Sequence, residues 1–360
     1  MWRGIWLLVA VLFAAIVLNN SALVFRSRQY ETDDYAADSL QIIKAKHFRE
    51  TLGQYSRYGF HHPGPAFLYV FAVGEFLFFD ATHLVPAPFN GQLIALYLLS
   101  AFFFSTAVAI AARRLRAGRF WFVCFALLFA AWHFGAVGKF YDFVPGPPGL
   151  FCLWPPCLLT FPFLCFLVAA ASVASGETRD LVLMTFAGCF LVLVHVSMPL
   201  FVLPLSVLAY VALIRQTRRS QPNRARWPWR NAPRQHWLGG AVIALFLLPI
   251  PVNLVVAHPN NFQRIVGHLE TGYGERKSLL QSFLYFLHFA AYSPYPNHNP
   301  IPAFEDFDWA GTLSFFALHW KAYALWGVVL VLGAVLVRKK NGPREEMDFF
   351  RSVGGCGWFW

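Results

Sequence analysis

Two acids, Asp33 and Asp34, open the run ETDDYAADSLQIIKAK, and the stretch SRYGFHHPGP behind it carries Arg57, His61 and His62. A carboxylate can take a proton from an incoming hydroxyl, the task of a general base. An arginine offers a bidentate fork to phosphate, and neighbouring histidines add donors for an anion. Gly59, Pro63 and Pro65 fix the path of the chain around them. Each of these residues also has a plainer use. Asp33 or Asp34 makes a good helix N-cap. Asp142, in KFYDFVPGPPG, is either a second acid or a solvated one. His195, in LVHVSMPL, is either a packing histidine or a functional polar group at membrane level. Arg264, Arg276 and Lys277, in HPNNFQRIVGHLETGYGERK, can meet phosphate or sugar or simply face water, and His268 reads as solvated.

The composition says what must hold these residues. Of 360 residues, 58% are hydrophobic and only 13% charged, against roughly 25% charged in soluble domains. This is the profile of an all-α integral membrane protein crossing the bilayer several times. The net charge of +11 suits basic cytoplasmic loops rather than nucleic acid. Six cysteines lie mostly in apolar runs, with no CxxC and no Cys/His spacing for zinc. They read as small buried hydrophobes, with Cys152 and Cys157 the pair that leaves a bridge open.

A crossing needs about 20 mainly apolar residues. Clear runs cover 5–25, 91–112, 120–138, 149–173, 237–257 and 311–337, and 181–214 divides into two at His195–Pro199. The first run reads as an uncleaved helix rather than a signal peptide. Runs 65–79 and 279–292 are shorter and read as interfacial or re-entrant. With neither crossing, the arginine-rich segments 112–119 and 215–235 face the same inner side, as the positive-inside rule asks. The expectation is about eight crossings, both termini cytoplasmic, and outer loops 26–90 and 258–310. In the first outer loop, Ala36, Leu40 and Ile43 share one helical face, which predicts an amphipathic helix on the membrane surface.

The segments ETDDYAADSLQI, GQYSRYGFHHPGPAFLY, YDFVPGPPGL and LVHVSMPL together resemble the GT-C superfamily of membrane glycosyltransferases, with similarity to family 39-like and arabinofuranosyltransferase-like bacterial members. The resemblance covers roughly residues 1–300. It implies a GT-C-like transmembrane domain over 1–338 with juxtamembrane helices in the first outer loop, followed by a short cytoplasmic tail over 339–360. It implies an inverting transfer of a sugar from a polyprenyl-phosphate donor to a glycan, lipid or protein acceptor. The site would face the outer, periplasmic side of a bacterial inner membrane. Asp33 or Asp34 matches the base and Asp142 the second acid. Arg57, His61, His62, His195 and Arg264 would bind substrate. No cofactor is certain, and Asp142 stands without the DxD of metal-dependent relatives, so a divalent metal is left open but not indicated. The alternative is a non-catalytic binding, flippase or assembly protein for a polyprenyl-linked glycan. The loop YSPYPNHNPIPAFEDFDW is aromatic and polar enough to choose the acceptor. Many family members are longer and carry an outer C-terminal domain, so the tail reads as a short branch or a truncated C-terminus.

Overall fold

A computed structural model describes residues 2–31, 33–56, 58–114, 153, 158–220, 233–271, 278–290, 308–321, 323–324 and 327. These residues are mostly helical and include no strand. The expected sites Arg57 and Asp142, the Cys152–Cys157 pair, the 339–360 tail and most of the aromatic loop lie outside them.

Up to His268 the described residues form one compact unit. Helix α1 (Trp2–Asn19) packs along α4 (Pro88–Arg114). Between them come α2 (Asp33–Lys46) and α3 (Ala66–Glu75), the latter running on as a π-helical turn, Phe76–Ala81. The 10 residues of α3 and the 6 of that turn rise about 24 Å, short of the ~30 Å hydrocarbon core. Helix α3 lies flat against α4 because both meet at glycine: a Cβ on Gly74 would sit 2.6 Å from the Gly91 carbonyl oxygen. Helices α5 (Thr160–Ala174), α6 (Leu181–Val194), α7 (Pro199–Ser220) and α8 (Pro233–Leu247) follow, with α5 against α4, α6 and α7, and α6 against α8. Then come α9 (Pro249–Val256) and α10 (Asn261–Thr271). From Leu269 the described residues belong to a second unit, in which α11 (Leu279–Ala290) packs on α12 (Trp309–Leu318).

Among the described residues, three segments are long and apolar enough to cross a membrane: Pro88–Arg114, Pro199–Arg218 and Arg234–Val256. The run 181–214 breaks where HVSMP falls. Helix α6 stops at Val194, His195 is extended, and α7 restarts at Pro199, a residue suited to a helix start because it needs no N–H partner.

One local expectation changes: Asp33 and Asp34 lie in the first turn of α2 rather than ahead of it, where acidic charge favours the helix dipole. The apolar face of α2 is turned outward, as a surface helix requires: Leu40 and Ile43 are more than half exposed, while Tyr35, Asp38, Gln41, Ile42 and Ala45 are buried. In water this would be an inverted helix. At a bilayer surface it is the arrangement that sets leucine and isoleucine toward lipid.

Candidate functional site

The segment between α2 and α3 doubles back on itself. Ser56 donates its N–H to Phe60, and Gly59, at φ 82°, donates to Ser56 across the bend. A side chain at that φ is strained, so glycine belongs there. The two limbs then pair: Gly53 N–H donates to the His62 carbonyl at 3.1 Å and His62 N–H to the Gln54 carbonyl at 2.9 Å. A Cβ on Gly53 would lie 2.7 Å from the Gly64 oxygen and 2.8 Å from the His62 oxygen, so only glycine lets the limbs approach.

This hairpin-like loop aims its adjacent histidines in opposite directions. The main chain of His61 is gripped by Asn261 of α10, which accepts its N–H and donates to its carbonyl, both at 2.8 Å. The His61 ring lies 3.0 Å through Nδ1 from the Gly53 carbonyl. A carbonyl only accepts, so Nδ1 carries the hydrogen and Nε2 is left as an acceptor. His61 lines a cavity of about 130 Å³ with Leu52, Asn253, Ala257, Pro259, Asn261 and Arg264, room for about four waters. Two expected site residues, His61 and Arg264, thus meet at one cavity.

His62 points the other way. It is buried, and its ring centroid lies 4.4 Å from that of His195. The Val196 N–H donates to His62 Nδ1 at 3.3 Å, and the Ser197 N–H donates to His195 Nδ1 at 3.3 Å. Both rings therefore use Nδ1 as an acceptor. Burial, then the neighbouring His195 and His61, hold the His62 pKa down at about 4, and burial lowers that of His195. At neutral pH the pair is uncharged, so it offers Nε2–H donors rather than the cation expected of His62. His268, read as solvated, instead packs against Tyr58 at 4.8 Å and Phe60 at 5.2 Å between ring centroids.

Of the expected acids, Asp34 is exposed at the start of α2 and Asp33 precedes it. One turn on, the structure adds a residue that the sequence reading passed over. Asp38 is 4% exposed, and Gln54 Nε2 donates to its Oδ2 at 2.9 Å. Burial, then the nearby Asp34 charge, pushes its pKa up to about 8. The available signal was the i, i+4 spacing of Asp34 and Asp38, which sets two acids on one side of the helix. Asp38 also starts a path. Gln54 bonds Asp38 through its side chain and His62 through its carbonyl, and His62 bonds Val196 at the α6–α7 break.

Below that break an apolar cavity of about 590 Å³ runs between α6, α7 and α8, from Val192 and Val202 down to Leu181, Tyr210 and His236. Its length along α6 is about 16 Å at the usual helical rise. No group of three or more His, Cys, Asp or Glu side chains is placed to hold a metal among the described residues. No protein family, curated protein or solved structure matches the chain.

Proposed function

We propose that the protein is an inverting glycosyltransferase that moves a sugar from a polyprenyl-phosphate donor to an acceptor at the outer membrane face. One observation carries the reading: a polar loop packed beside α2, which exposes Asp34, is tied through Gln54 and His62 to the α6–α7 break above a long apolar cavity. A ligand with a sugar, a phosphate and a hydrocarbon chain has those two characters in that order.

In this reading Asp34 or Asp33 takes the proton of the acceptor hydroxyl. The freed oxygen attacks the anomeric carbon, and the carbon–oxygen bond to the lipid phosphate breaks from the opposite face. The electron pair leaves on phosphate, giving inversion. Arg264 supplies a cation for that developing charge, with Arg57 as the expected second. His61 Nε2 accepts from a sugar hydroxyl, and the neutral His62 and His195 donate. The reading includes eight crossings, with loops 26–90 and 258–310 outside, both termini cytoplasmic, and Asp142 as the second acid.

The test is donor consumption. Membranes holding the protein receive labelled polyprenyl-phosphate sugars, alongside Asp33→Asn and Asp34→Asn. Loss of one donor, abolished by either substitution while the protein persists, supports the reading. Unchanged consumption in both variants removes the acid assignment. Binding without consumption in any preparation favours the binding or assembly role.

A further inference from the structure

Beneath the candidate site, two buried oxygens lack hydrogen-bond donors among the described residues: Asp38 Oδ1 and Gln41 Oε1. Their side chains are 4% and 7% exposed, so water is a poor substitute. They stand at i and i+3 on α2, neighbours on one helical face. The two side-chain amides beside them are engaged elsewhere, and no donor among the described residues reaches either oxygen. Gln41 Nε2 donates to the Gly53 carbonyl at 3.0 Å, which fixes Oε1 on the far side. Gln54 Nε2 donates to Asp38 Oδ2 at 2.9 Å, leaving Oδ1. The two side chains are thereby drawn to consecutive residues of the same loop limb, each with an acceptor to spare. One hydrogen placed between those acceptors satisfies both.

We propose that Asp38 holds that hydrogen: it is a protonated carboxyl whose Oδ1–H donates to Gln41 Oε1. In that state it is a positioning residue, closing the ties that bind α2 to the Gly53–Gln54 limb. The limb pairs with His62 and supports His61, and α2 presents Asp34. What those groups do rests on the transferase reading; the proton on Asp38 does not.

The surroundings agree. The nearest like charge is Asp34, one turn away on α2, and its field opposes a second charge on that face. The ion pairs and charge-bearing hydrogen bonds around α2 do not include Asp38. Lys46 Nζ lies 2.6 Å from both Glu75 and Asp80, Glu75 also accepts from Gln92, and Glu31 accepts from Ser39. Glu50 accepts from the N–H groups of Thr51 and Leu52. None of them bonds Asp38. A raised carboxyl pKa means the folded protein keeps a proton that the unfolded chain has released between about pH 4 and 8. Stability from this group therefore falls as pH rises through that window and levels off above it. His62 and His195 act with the opposite sign, losing stability as pH falls below their unfolded value. The comparison must therefore isolate Asp38.

Asp38→Asn does so, because an amide has the shape and hydrogen count of the protonated acid. Thermal unfolding of the detergent-solubilised full chain would be followed from about pH 5 to 9. The expected result is a variant midpoint that is slightly higher near pH 5 and whose advantage grows to about 4 °C or more near pH 9. A variant less stable than wild type at high pH, or a difference that does not change with pH, overturns the proposal. Should the variant fail to accumulate, the wild type decides by infrared spectroscopy at neutral pH. A protonated-carboxyl C=O stretch that persists in Asp34→Asn supports it, and its absence overturns it. Neither readout involves turnover, so this inference and the transferase reading can fail separately.

Discussion

Two aspartates are buried at opposite ends of α4, and the protein treats them differently. Asp180, 0% exposed, meets the last turn of α4. There Arg113 forms an ion pair with its Oδ2, and Ser172 donates to the same oxygen at 2.5 Å. Arg114 holds Ser172 from the other side, through its hydroxyl at 3.1 Å and its carbonyl at 3.0 Å. Asp38 lies under α2, near the first turns of α4, where Gln92 donates to Ser39 and Glu75. It receives one amide and faces one like charge. A buried carboxylate costs several kcal/mol unless paired. At Asp180 the cost is met with a cation, which locks α4, α5 and α6 together. At Asp38 it is avoided by keeping a proton, which leaves a group able to respond to pH beside the candidate site. Burial is answered by an ion pair at Asp180 and by a retained proton at Asp38.

The sharpest way to break this contrast is to remove the cation. Arg113→Met strands Asp180 without its counter-charge and is expected to cost about 3–5 kcal/mol. Thermal midpoints in detergent, or loss of folded protein from membranes, would show it. An effect below about 1 kcal/mol would mean Asp180 is as neutral as Asp38 and the contrast is false. Lys46→Met tests the same rule at the other end. It leaves Glu75, whose side chain is 3% exposed, with Gln92 alone, and the expected cost is about 3 kcal/mol. Adding Glu75→Gln should recover most of that loss, since the stranded charge goes with it.

The sequence reading reached the break at His195–Pro199 because proline and a polar residue interrupt an unbroken apolar run there. It reached α2 as an amphipathic surface helix. A surface helix with Ala36, Leu40 and Ile43 toward lipid turns its other face to protein, where Asp38 and Gln41 are buried beside Tyr35, Ile42 and Ala45. The reading did not follow that second face, so Asp38, Gln41 and Gln54 were passed over. The grip of Asn261 on His61 was equally hidden, since the partners lie 200 positions apart and an asparagine in HPNNFQ has no pattern that points to a distant main chain.

Shape can be separated from charge at the loop itself. Gly53→Ala adds one methyl against two carbonyl oxygens of the opposite limb. Both are backbone, so neither can rotate away, and the expected cost is about 1–3 kcal/mol. If the loop positions the site, donor turnover should fall by more than the loss of folded protein explains. A variant as active per folded molecule as wild type would detach the loop from function.

The smallest expected effect discriminates most finely. Gln54→Met keeps the volume and removes the amide that donates to Asp38. A hydrogen bond to a neutral group is worth about 1 kcal/mol, and one to a charged group about 1.5–3. With a protonated Asp38 the loss should be near the lower figure below about pH 7 and grow as the carboxyl ionises. Asp180 would set the opposite standard: Ser172→Ala removes a donor to a charge already paired, so its cost should stay level over the same range. If the Gln54→Met loss also stays level, at the larger value, Asp38 is ionised throughout. The two buried aspartates would then be alike in charge and different only in company.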